Sequence, residues 1–147
     1  MDYVSINHPD REGRIIVPHT LVYSGLRWHV RAWCEKNQGY RDFVLSRFRG
    51  VPEILDDSDH GMDGDHEWST YVSVRITADP RLGPEQREVV ETDYGMQDGA
   101  LEIATRARLV PYVLQLLHIG PDSVAEDPTA QQIVVENRDE LKPWLFG

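Results

Sequence analysis

The ten residues from Asp56 to Asp65 limit what this chain of 147 residues can fold into. They hold five Asp, two Gly and one apolar residue, Met62. A run with so much like charge and so little apolar surface cannot form a core. It is expected to be a solvated acidic linker over residues 56–66, separating domains at 1–55 and 67–147. The charge pattern follows the same division. Residues 1–55 carry 8 Lys and Arg against 6 Asp and Glu, whereas residues 56–147 carry 7 against 19. Within 26–50 the count is 6 basic to 2 acidic. The net charge of −10 argues against broad binding to duplex DNA. It leaves room for a local anion site, because screening confines each charge to roughly 8 Å.

Ahead of the linker the signals are those of strands. Arg14-Ile15-Ile16-Val17 runs into Pro18, which is expected to stop pairing. Leu21-Val22-Tyr23 and Leu26 to Cys34 flank Ser24-Gly25, a hairpin spacing. The turn Glu35 to Gly39 then leads into a strand from Tyr40 to Phe48. Short strands in this order must close or stack to hide their edges, which predicts a small barrel. Beyond the linker, period-two alternation predicts a strand over Glu67–Thr77, with Trp68, Thr70, Val72, Val74 and Ile76 on one face. A helix opens at Gly83-Pro84-Glu85 and ends near Tyr94-Gly95. A strand over Gly99–Ala107, a helix over Leu109–Ile119 closed by Gly120-Pro121, and a strand over Gln131–Glu136 complete a β-α-β-α-β order. That order predicts a small α/β sandwich with helices over one sheet face.

The segment from Gly25 to Cys34 is chemically the most informative. In a strand, Trp28, Val30, Ala32 and Cys34 share one face, and His29, Arg31 and Trp33 share the other. The second set, with Arg41 and Arg47 from the next strand, would make a cationic face for phosphate or carboxylate, since guanidinium forks bind both in bidentate fashion. Spacing alone favours a plainer reading, a solvated outer face with scattered arginines. Arg41 and Arg47 also share parity with Phe43 and Leu45, so a bulge or strand end would be needed to expose every arginine.

Other chemistry finds little support. The Asp-rich run misfits a calcium loop: Gly61 stands at the third position and Thr70 at the twelfth. No histidine spacing suits a metal, and Cys34, the single cysteine, sits in strand alternation as a small buried hydrophobe. His8, His60, His66 and His118 read as surface or cap residues. No nucleophile elbow, phosphate loop or fixed carboxylate pair is present, so neither catalysis nor a cofactor is expected. No apolar run approaches the ~20 residues of a membrane span. Met1-Asp2-Tyr3-Val4 is no secretory leader, and a lone cysteine fits a reducing cytoplasm.

The run Pro18 to Cys34, continuing through Arg41-Asp42-Phe43-Val44-Leu45-Ser46-Arg47-Phe48, closely resembles a WYL domain. Trp28-His29-Val30 stands where that family has Trp-Tyr-Leu, an imidazole replacing the tyrosine ring. Asp93-Tyr94-Gly95-Met96 and Leu109 to Leu114 resemble the C-terminal extension, or WCX, domain that follows WYL domains. The resemblance implies an α+β chain: a Sm-like or SH3-like β-barrel followed by a ferredoxin-like α/β sandwich. It also implies a cytoplasmic ligand-sensing and dimerisation module of a bacterial transcriptional regulator, of a kind that includes regulators of phage defence and DNA damage. The ligand would be a nucleotide or single-stranded nucleic acid. By motif position the contacts would be His29, Arg31, Arg41 and Arg47, joined by His19 and Tyr23, and the partner would be a second copy. Met1 to Ser5 already matches the start of the barrel, so the winged helix that reads duplex DNA in such regulators is expected to be absent here. Two alternatives remain: a stand-alone oligonucleotide-binding module with Trp33 in a stacking platform, and a dimerisation scaffold without ligand. Under the sensing reading, Arg31→Ala or Arg47→Ala is expected to abolish binding and leave the fold intact.

Overall fold

The computed structural model describes residues 2–3, 12–120 and 127–145. His8, Pro121 and most of the matched barrel start (Met1, Val4 and Ser5) lie outside them. The chain is α+β and divides into two compact units, Met1–Ser69 and Thr70–Gly147.

The first unit contains β1 (Asp2–Tyr3), β2 (Glu12–Gly13), β3 (Ile16–Tyr23), β4 (Trp28–Cys34), β5 (Gly39–Val44) and β6 (Phe48–Arg49). They form two antiparallel sheets, in the orders β2-β1-β6 and β3-β4-β5. Pro18 does not stop β3. The strand lies at the edge of its sheet, where a missing N–H breaks no ladder. The register also slips between Pro18 and Thr20, a bulge in which His19 is the extra residue. The β3–β4 connection is wider than a two-residue hairpin, spanning Ser24 to Arg27, with Gly25 at φ 99° and Leu26 94% exposed. The expected strand from Tyr40 to Phe48 is broken: β5 ends at Val44, and Leu45–Arg47 form a 3-10 turn before β6. The turn resets the alternation, so Leu45 is exposed rather than core.

Val30, Ala32, Cys34 and Phe43 are buried together, with Ile16 and Phe48 packed against them. This is a small core, and the sheet buries its other face differently. Residues 51–58 are exposed, as expected of an acidic tether. Residues 59–69 are not a tether. A 3-10 turn at Met62–Gly64 and the single-turn helix α1 (His66–Ser69) bring Asp65 and Trp68 to 1% and 5% exposure. The His60 ring stacks on Trp33 at 3.8 Å and 3°, and Tyr40 Oη donates to the Gly61 carbonyl at 2.6 Å. Ring area from His60 and Trp68, with a neutralised Asp65, outweighs the run's charge. Trp68 is thus in a helix rather than a strand.

The second unit orders its strands β8-β7-β9, all antiparallel. They are β7 (Tyr71–Ala78), β8 (Ala100–Arg106) and β9 (Ile133–Val135). Helices α2 (Pro84–Asp93), α3 (Val110–Leu116) and α4 (Arg138–Leu145) supply Val90, Val110, Leu114, Leu141 and Leu145 to one core, with Val74 and Ile76 of the central strand. α2 ends as its sequence predicts, with Gly95 at φ 63° beyond the cap. α3 is shorter than expected, because His118 turns the backbone to φ 57° before Ile119. α4 was not expected. Asn137 anchors its start, donating from Nδ2 to the Ser73 carbonyl at 2.7 Å while Oδ1 accepts the Arg75 N–H at 2.9 Å.

Because Trp68 is buried, Trp68→Ala is expected to cost the first unit about 3–5 kcal/mol, measurable as a lowered urea midpoint. A midpoint equal to wild type would return residues 59–69 to the status of a tether.

Candidate anion-binding site

The β4 register sets the site. Arg31 pairs with Thr20 on β3 and Asp42 on β5, and His29 with Val22 and Val44. Cross-strand partners share a face, so His29, Arg31 and Trp33 stand opposite the small apolar core. Both residues of a bulge tend to the same side. Accordingly His19 joins this face, its Nδ1 2.8 Å from Thr20 Oγ1.

At the centre lies a buried ion pair. The Arg31 guanidinium donates from Nε to Asp65 Oδ2 at 2.6 Å and from Nη2 to Asp65 Oδ1 at 2.9 Å, a two-pronged fork. Nη1 donates to Asp42 Oδ1 at 3.2 Å, and Glu67 Oε2 lies 3.6 Å from Nη2. His19 Nε2 reaches Asp65 Oδ2 at 3.0 Å. The Trp68 N–H donates to Asp65 Oδ1 at 3.3 Å, so one carboxylate also caps α1. Arg31, His19 and Asp65 are 3%, 5% and 1% exposed at the side chain. Burial pushes the Asp65 carboxyl upward. The bonds from Arg31 and His19 and the arginine charge outweigh it, holding Asp65 below the usual carboxylate range. Burial likewise pulls Arg31 down, and Asp65 and Asp42 more than offset it.

The six residues expected to contact ligand do not form one patch. His19, His29 and Arg31 gather on the face covered by residues 59–69. Arg41 pairs with Ala32 and Tyr23 with Trp28, which places both on the opposite side of the sheet. Arg41 is exposed, with Nη1 on the Tyr40 carbonyl at 2.9 Å. The Tyr23 hydroxyl donates to the Gly25 carbonyl at 3.0 Å, and its ring lies 5.2 Å from that of Trp28. Arg47 is half-buried in the turn after β5. Arg31 therefore does not project into solvent, and removing it strands Asp65 as a buried charge, so Arg31→Ala is not expected to leave the fold intact.

Asp65, Asp42 and Glu67 escaped sequence reasoning. A signal existed for Asp65: an Asp ahead of His66-Glu67-Trp68-Ser69 suits a helix cap, and a Trp amid acidic residues needs somewhere to pack. Among the described residues no group of three or more His, Cys, Asp or Glu is placed to hold a metal.

Residues 1–52 match the WYL domain family. Residues 71–141 match the family described as the BrxR transcriptional regulator, C-terminal dimerization domain. DNA-binding transcriptional repressors named CapW are similar over 97% of this chain, at 38% identity in Pseudomonas aeruginosa, 36% in Stenotrophomonas maltophilia and 37% in Escherichia coli. The chain spans about half the length of these relatives, 48% of each. A solved structure, proteasome accessory factor B/C of Arthrobacter aurescens, aligns with 98% of this chain and 23% of its own at 17% identity, with a TM-score of 0.30.

Acid should unfasten the ion pair in a particular direction. With its folded-state pKa depressed, Asp65 stabilises the fold fully above its unfolded value, about 3.9. That stability is lost as pH falls through the lower folded value. Urea midpoints followed from pH 6 to pH 2 should fall more steeply for wild type than for Asp65→Asn. Equal slopes would mean the carboxylate is not held as described.

Proposed function

We propose that this chain, which belongs to the WYL-domain family, is the ligand-sensing and dimerising part of a bacterial transcriptional repressor. The relatives' name supports the regulatory role, and the family matched by the second unit supports self-association. The Sm-like barrel form of the first unit, the ferredoxin-like form of the second and a cytoplasmic location belong with this reading. Duplex DNA would be read by a winged-helix domain.

One observation supports the sensing role: on the polar face of the β3-β4-β5 sheet, buried Arg31 and His19 both hold the Asp65 carboxylate supplied by residues 59–69. Asp65 occupies the position that an anionic group, such as the phosphate of a nucleotide or single-stranded nucleic acid, would take on Arg31. In this reading Asp65 is a resident counter-anion and the ligand its competitor. Arg41 and Arg47 would draw the ligand in by charge instead of gripping it, and Tyr23 would act further out. Exchange of one anion for another leaves the arginine paired throughout, which avoids the several kcal/mol that an orphaned buried charge costs.

The test is a fluorescence titration with labelled short single-stranded oligonucleotides at two salt concentrations, with mononucleotides and cyclic nucleotides as competitors. Asp65→Asn removes the resident charge and should tighten binding about tenfold, ~1.4 kcal/mol. Arg41→Ala and Arg47→Ala should weaken binding chiefly at low salt. Affinity unchanged in all three variants would sink the site, and no binding by wild type at tens of micromolar would leave a dimerisation scaffold as the better reading.

A further inference from the structure

The core of the first unit stops short of the end of its sheet. Val30, Ala32, Cys34 and Phe43 are buried together on one face of β3-β4-β5. Trp28 lies two residues before Val30 on β4. Its cross-strand partner is Tyr23, and that of Val30 is Leu21, so all three share the face of the core. Yet Trp28, Tyr23 and Leu21 are 51%, 56% and 59% exposed, and Leu26 at the hairpin tip is almost wholly so. The apolar layer therefore runs out into an uncovered strip at the hairpin end. Arg27 is exposed beside it, and its guanidinium joins no ion pair among the described residues.

The same unit leaves a second apolar set open. In the tether, Val51, Ile54 and Leu55 are 88%, 97% and 56% exposed. They stand among Glu53, Asp56 and Asp57, acids that likewise join no ion pair among the described residues. Within one chain the strip and the segment do not cover each other, since both stay open. Their chemistry nevertheless matches: an apolar strip edged by a free cation, and an apolar segment carrying free anions. We propose that residues 51–57 of one copy lie on the Leu21, Tyr23, Leu26 and Trp28 strip of a second copy, and reciprocally, so that a two-fold axis repeats the contact. Scaled by exposure, the strip presents about 500 Å² and the three tether side chains about 400 Å². A strip of that size marks an interaction site on an ordinary monomer. Giving and receiving together cover roughly 900 Å² per partner, against ~800 Å² for a standard interface. The apolar side chains supply the affinity, and Arg27 against the acids of the partner segment sets the direction in which that segment lies. The proposal rests on the dimerising role given above and adds to it a contact in the first unit.

Sedimentation of the whole chain from low to high micromolar concentration tests it. Leu26 and Ile54 touch little of their own chain, so Leu26→Glu and Ile54→Lys should leave the circular dichroism spectrum unchanged. Each should raise the dissociation constant of the dimer at least tenfold. An equimolar mixture should dimerise more tightly than either variant alone. The mixed dimer keeps one wild-type contact and brings the two introduced charges, opposite in sign, together in the other. Leu26→Ser and Ile54→Ser serve the same purpose if a charged variant misfolds. A dimeric wild type whose affinity survives both substitutions overturns the exchange and leaves the dimerising role standing. Weakening by only one of them, or no recovery in the mixture, overturns the pairing of strip with segment. A wild type that stays monomeric throughout overturns the contact and the role together.

Discussion

The pairing of Arg31 with Asp65 organises the first unit. A guanidinium at 3% exposure on a central strand is tolerable only if its charge is met. The carboxylate that meets it comes from 34 residues further on. Satisfying that charge brings residues 59–69 onto the sheet, seats Trp68, caps α1 and places the His60 ring against Trp33. Aliphatic packing in this unit is thin by comparison, with four buried apolar residues in its core cluster. The unit thus has one apolar layer and one ionic layer on the two sides of a single sheet.

The second unit leans on apolar packing instead. Its core cluster is the larger one, with a buried Asp79 met by Arg81 at 2.7 Å, and on the outer sheet face Arg75 is shared by two glutamates. Exposed pairs of that sort add little to stability. Where charge is buried here it holds a fold together; where it is exposed it adds little.

Much of this was legible along the chain. Alternation in β4 correctly separated Trp28, Val30, Ala32 and Cys34 from His29, Arg31 and Trp33, because a strand flanked on both sides keeps strict period two. The cap signals around Pro84 and Gly95 located α2 for local reasons. The failures were non-local. Pro18 is harmless only because β3 is an edge strand, and parity beyond Val44 is lost to a turn that periodicity does not register. The acidic run read as unfoldable on composition, since composition does not know that an unmet arginine is waiting 34 residues back. The parity of Arg41 with Phe43 was a truer guide than the cationic face drawn through it, since cross-strand partners put Arg31 and Arg41 on opposite sides of the sheet.

Asp65 is also close, along the chain, to the strand that centres the second unit. α1 ends at Ser69, Thr70 follows, and β7 begins at Tyr71. The Thr70 carbonyl is already committed there, accepting the Ala107 N–H at 2.7 Å. Five residues of backbone, four of them helical, thus lie between Asp65, which holds Arg31, and Tyr71 at the start of β7. The segment is a short tow-line with no slack loop in it.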